Sequence, residues 1–230
     1  MDKRVFGWKE GLTMLVMFGL VIIGVIASYV NTEWFEQQYA VEDGFIEWGT
    51  VLPLLFVAGV SIGRIVRWAG KVKITVLLGL AVLTLVCIFA SGEEISWGQR
   101  ILNIESSEFF RQHNAQQETN LHNMVVGETK INKLIFSQLL VIVMALYLIA
   151  LPWLYRKQQW VQNLVNAWAV PVPRLYHIAA FILLFIFTSF GPSGKKAELL
   201  EFGSTVMFSL IVMFPLNENR IGPVQEEEVF

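Results

Sequence analysis

Apolar blocks, mostly about 17 to 21 residues long, recur along the 230 residues, and a helix rising about 1.5 Å per residue needs that length to cross a hydrocarbon core of roughly 30 Å. A chain in lipid must satisfy its backbone polar groups within each segment, so blocks of this kind can only be helices. They predict helices at 11–30, 48–66, 74–91, 134–155, 175–190 and 202–215. The expected fold is an all-α integral membrane protein: one transmembrane domain over 1–230, built as a bundle of about six helices. A long, partly helical extracytoplasmic loop, 92–133, joins helices three and four. It is too long for a plain connector and too rich in Phe, Leu and Trp for a disordered linker. Composition agrees, with 55% hydrophobic against 16% charged residues and a mean hydropathy of +0.55.

The first block exceeds a signal-peptide core and runs into Asn31-Thr32-Glu33-Trp34 rather than a small-residue cleavage site, so it reads as a permanent helix. The single cysteine, Cys87, excludes a disulfide framework or a thiolate metal site within one chain. A net charge of −2, with no basic run interleaved with aromatics, sets nucleic acid aside as a partner.

Lysine and arginine give the orientation. With the N-terminus in the cytoplasm, Lys3, Arg4, Lys9, Arg64, Arg67, Lys71, Lys73, Arg156, Lys157, Arg174 and Arg220 lie inside. Arg100, Arg111, Lys130, Lys133, Lys195 and Lys196 lie outside. Both termini are therefore expected in the cytoplasm. Of the acids, Asp2, Glu10, Glu218 and Glu226-Glu227-Glu228 fall inside and the rest outside, a bias that the positive-inside rule does not itself produce.

Four segments carry these outer acids. Glu42, Asp43 and Glu47 lead into the second helix; if helical from Asp43, Asp43 and Glu47 share a face, and capping with dipole complementarity is the plain alternative. Glu93 and Glu94 end the third helix beside Gln99 and Arg100; adjacent carboxylates at an interface persist best with a cation, an arginine or a shared proton, and Arg100 is the expected partner. The stretch from Glu108 to Asn123 holds His113, Glu118 and His122, with Glu118 and His122 at i and i+4. Two histidines and a carboxylate match the ligand set of catalytic zinc and non-haem iron. Asn114, Gln117, Asn120 and Asn123 are expected to orient the imidazoles, against the alternative of an amide-rich segment that merely ties a re-entrant turn together. Finally, Glu198 and Glu201 stand one turn apart entering the last helix, where a plain acidic first turn is the alternative. His177, on the other side, reads as a packed or interfacial histidine.

Glu42-Asp43-Gly44 with Glu47-Trp48, Gly92-Glu93-Glu94 with Ser96-Trp97-Gly98-Gln99, and His113-Asn114 with Gln117-Glu118 and Asn120-Leu121-His122-Asn123 resemble the signature of uncharacterised bacterial polytopic inner-membrane proteins, over about residues 40 to 133. That resemblance implies a bacterial inner (cytoplasmic) membrane location and no particular activity. Two functional families are remotely similar. The alkaline ceramidase-type hydrolases share an acidic segment before an early helix, although their HxxxH pair is absent here. In the CAAX-type intramembrane proteases, EExxxR and FxxxH are echoed by Glu93-Glu94 and by Phe109 to His113, with a different arginine spacing.

The leading expectation is a membrane-embedded, metal-dependent enzyme, of hydrolase or transferase type, acting at the periplasmic face on a lipid or lipid-linked substrate. His113, Glu118 and His122 would hold zinc or iron, and Glu93 or Glu94 would act as base. Two other classes stay open: a non-catalytic subunit or assembly factor with a membrane-protein partner or second copy, and a cation-binding transporter or channel.

Overall fold

The computed structural model describes residues 6–121, 123–126, 129–130 and 140–223. The longer helices among them are α1 (Trp8–Val30), α2 (Phe45–Trp68), α3 (Ile74–Glu94), α4 (Glu108–His113), α5 (Leu151–Lys157), α6 (Gln159–Ala167), α7 (Leu175–Ser189) and α8 (Lys196–Met213). Leu140–Ala145 and a π-helical turn, Leu146–Ala150, lead directly into α5, and a second π-turn, Phe35–Tyr39, follows α1. Among the described residues the strands are confined to a two-residue antiparallel pair, Val125–Val126 with Thr129–Lys130, and the architecture is otherwise helical.

Among the described residues three helices, α1, α2 and α3, are long and apolar enough to cross a membrane. Their outward faces show Leu15, Ile26, Leu52, Phe56, Val82 and Leu85 to the surroundings, the pattern of a protein whose solvent is lipid. Of the remaining apolar helices, α7 is only 15 residues long, and α8 opens with Lys196, Glu198 and Glu201. Pro53 lies well inside α2 rather than at its start, because that helix begins at Phe45.

α8 is the hub. It packs against α1, α2 and α7, while α2 pairs with α3 along its length. Met17, Val21, Phe35, Leu184, Leu199 and Met207 fill the space between α1, α7 and α8; Leu54, Val57, Cys87 and Val212 fill that between α2, α3 and α8. The close approach of α7 requires Gly203: a Cβ there would lie 2.4 Å from Leu184 Cδ1. This packing brings the start of α2, the end of α3 and the start of α8 to one end of the bundle, with residues 95–121 folded over them as a cap.

Candidate functional site

The α2 entry is built by a turn that glycine permits. Gly44 N donates to Val41 O at 3.0 Å, a Cβ on Gly44 would lie 2.5 Å from that oxygen, and Asp43 takes a left-handed φ of 57°. Glu47 then turns back so that its Oε2 accepts the Asp43 N–H at 2.9 Å, satisfying a donor at the helix start. At the end of α3, Ser96, Trp97 and Gly98 run through three successive left-handed φ values of 47°, 54° and 75°. The reversal lays the Trp97 indole over Gly92, where a Cβ would lie 2.8 Å from the ring, and its Nε1 donates to Glu93 Oε1 at 2.9 Å.

Arg100 follows and is held by three carboxylates, two from the α2 entry and one from the segment beyond α4. Its Nε donates to Asp43 Oδ2 at 2.7 Å, Nη2 to Asp43 Oδ1 at 3.0 Å and Glu47 Oε1 at 2.8 Å, and Nη1 to Glu118 Oε1 at 2.5 Å. Burial alone would pull the guanidinium pKa down; the hydrogen bonds to Asp43 and Glu118 outweigh it and hold the pKa above the ordinary arginine value. The expected partner of Glu93 and Glu94 is thus bonded to other acids. Arg100 reaches the α2 entry because the Ser96–Gly98 reversal turns the chain back across the bundle end.

The segment beyond α4 is not the helix that would project Glu118 and His122 together. Asn114 ends α4, its Oδ1 accepting the N–H groups of Gln116 at 2.9 Å and Glu118 at 3.1 Å, and Gln117 has a φ of 60°. The amides therefore brace a turn. Asn114 Nδ2 donates to Asn120 O and Oδ1, both at 2.9 Å, and Asn120 Oδ1 accepts the Asn123 N–H at 3.0 Å. Asn123 Nδ2 also bonds Gln116, whose own Nε2 donates to Glu42 Oε1 at 2.8 Å. Gln99 Oε1 accepts the Thr119 N–H at 2.7 Å. Glu118 itself is buried, taking Ser96 Oγ at 2.5 Å and Asn120 Nδ2 at 3.1 Å besides Arg100.

His113 is exposed on α4, its ring stacked on Phe109 and its Nδ1 2.8 Å from Phe109 O, away from the carboxylates. His122 lies outside the described residues. Among the described residues no three His, Cys, Asp or Glu side chains form a group that could hold a metal ion.

What the fold does bring together is a cavity of about 80 Å³ lined by Glu42, Glu47, Glu93, Glu94, Glu118, Glu198 and Glu201, with Arg100, Gln116, Asn120 and Asn123. Arg100 answers Glu47 and Glu118, Gln116 answers Glu42, and Glu93 takes the Trp97 indole and the Leu121 N–H at 2.6 Å. Among the described residues, Glu94, Glu198 and Glu201 have neither a hydrogen bond to their carboxylates nor a cation within ion-pair distance. Asn120, one of the amides expected to orient the imidazoles, instead bonds Ser96 and Glu118, while Ser96 and Gln116 belong to the site without having been singled out from sequence. Ser96 stood inside a quoted motif, where its polar side chain amid apolar neighbours was the available signal.

Comparison with protein-family models, with curated proteins and with solved structures gives no match.

Proposed function

We propose that this protein is a membrane-embedded enzyme acting on a lipid or lipid-linked substrate, with the carboxylates of Glu94, Glu198 and Glu201 as its working groups. In this reading the bundle has about six transmembrane helices, lies in the bacterial inner membrane with both termini cytoplasmic, and opens its acidic end to the periplasm. The observation that carries it is the surplus of carboxylates in one small cavity. Like charges removed from water repel and lose solvation, so such a group persists by sharing protons or taking up a cation. A carboxyl kept protonated is a general acid, and an ionised one beside it a general base or a ligand.

This reading divides the acids. Glu94 is the general acid or base, Glu198 and Glu201 share its proton, and Glu93 is a positioning residue, since the Trp97 and Leu121 hydrogen bonds already engage both its oxygens. The reading also sets the transporter alternative back, because the acids stop at the bundle end.

The test is lipid turnover. Protein reconstituted in vesicles of bacterial polar lipids is followed by mass spectrometry of the lipids, with elemental analysis of the same untagged sample. The expected result is headgroup or linkage conversion by the wild type that is lost in Glu94→Gln and retained in His113→Ala. Equal conversion by Glu94→Gln, or no conversion alongside a stoichiometric copurifying protein, would overturn the enzyme reading, the latter in favour of the subunit alternative.

A further inference from the structure

Between the end of α3 and Glu105 the chain presents an apolar edge that none of the described residues covers. Trp97, Ile101, Leu102 and Ile104 are 49%, 57%, 66% and 58% exposed, although the segment lies outside the long apolar helices. The edge does not stand alone. The Trp97 ring meets Phe89 of α3 edge-on at 5.9 Å, and Phe89 belongs to the same outward stripe as Val82, Leu85 and Val86. The apolar surface of a membrane-length helix thus continues without a break onto the cap. Polarity then changes abruptly: Glu105, Glu108 and Arg111 form an exposed ion-pair group, with Arg111 Nη1 3.3 Å from Glu105 and Nη2 2.9 Å from Glu108. Meanwhile Arg100, flanked by the apolar residues, turns its charge inward to the carboxylates.

We infer that the edge from Trp97 to Ile104 is inserted into the lipid leaflet at the acidic end, so that the cap floats on acyl chains and the cavity mouth lies at headgroup depth. An exposed apolar patch of this size marks an interaction surface, and continuity with the lipid-facing stripe of α3 selects lipid over a soluble protein as its occupant. Trp97 suits the boundary, with its ring against apolar surface and its N–H directed to Glu93. Under the enzyme reading, on which this consequence rests, the substrate enters sideways from the leaflet and its polar group meets Glu93 and Glu94 first; the insertion itself does not depend on that reading.

The experiment attaches an environment-sensitive nitrobenzoxadiazole label to Ile101→Cys, Leu102→Cys and, as a control beyond the ion-pair group, Gln112→Cys, each in a Cys87→Ala background. The proteins are reconstituted in phosphatidylcholine vesicles with and without brominated acyl chains. Blue-shifted emission quenched by bromine at 101 and 102 but not at 112 is the expected result. Water-like, unquenched emission at 101 and 102 would overturn the inference. Where circular dichroism shows that a label disturbs the fold, the loss of bromine quenching of tryptophan emission in Trp97→Phe relative to wild type reads the same edge without a label, and no loss overturns it. Insertion without lipid turnover would remove the enzyme reading and leave the insertion standing.

Discussion

At the end of the bundle opposite the acidic cavity another glutamate is buried, and its surroundings differ in kind. Glu10 of α1, fully enclosed, accepts the Gly7 N–H at 2.9 Å and the Tyr176 hydroxyl, with His177 Nε2 3.9 Å away. The Arg174 N–H donates to His177 Nδ1 at 3.3 Å, and the Arg174 guanidinium donates to the carbonyls of Phe214 and Pro215 at 3.0 and 2.8 Å and lies 3.6 Å from the Glu218 carboxylate. One carboxylate there meets several donors, and the result is a joint between α1 and α7. Among the described residues, the cavity at the acidic end is lined by seven carboxylates and one guanidinium. A buried charge supplied with donors locks structure; a surplus of one sign must be balanced by something from outside, which is why the second end reads as the working one.

The sharpest way to break this comparison is to remove Arg100. Arg100→Met should leave Asp43, Glu47 and Glu118 facing one another and cost about 3 kcal/mol, the lower end for a buried pair because Asp43 is partly open to solvent. Denaturant unfolding in detergent measures it, and a loss no larger than that of a surface substitution would show the cap to be held otherwise. Next in size is the contrast between the two ends. Glu10→Gln is expected to destabilise by about 2 kcal/mol by weakening bonds to a charged acceptor. Glu201→Gln, which removes a like charge, should stabilise by about 1 kcal/mol while reducing activity. Midpoints of the same unfolding curves decide this, and a matching loss in both variants would erase the distinction. Smallest is His113→Ala, expected within about 0.5 kcal/mol of wild type because the ring sits outside the cavity; loss of bound metal in that variant, read by elemental analysis, would restore the histidine site.

The long helices were legible because lipid imposes a length and an apolarity that composition displays directly. The gathering of acids at one end was legible as well, since helices that alternate in direction put every second loop on the same side. The pairings inside the site were not. Arg100 lies 57 residues from Asp43, and nothing local to either announces the other. The i, i+4 spacing of Glu118 and His122 carries meaning only in a helix, and Asn114 and Gln117 replace the helix with a turn. Asparagine and glutamine side chains bond backbone as readily as they bond a ligand's partner, so the amide-rich stretch gave no sign of which it did.

The placement of Glu198 and Glu201 on α8 has a consequence in time. They are synthesised about a hundred residues after Glu94, at a rate of roughly 5 to 20 residues per second, so for some seconds the end of α3 waits with its carboxylate unopposed by the others. The repulsion that Glu198 and Glu201 add is therefore incurred only when α8 docks into the hub. A chain that stalls before that step has the other five carboxylates of the lining but lacks these two. The group proposed to do the chemistry comes into being only with α8 in place, which keeps shorter chains inert.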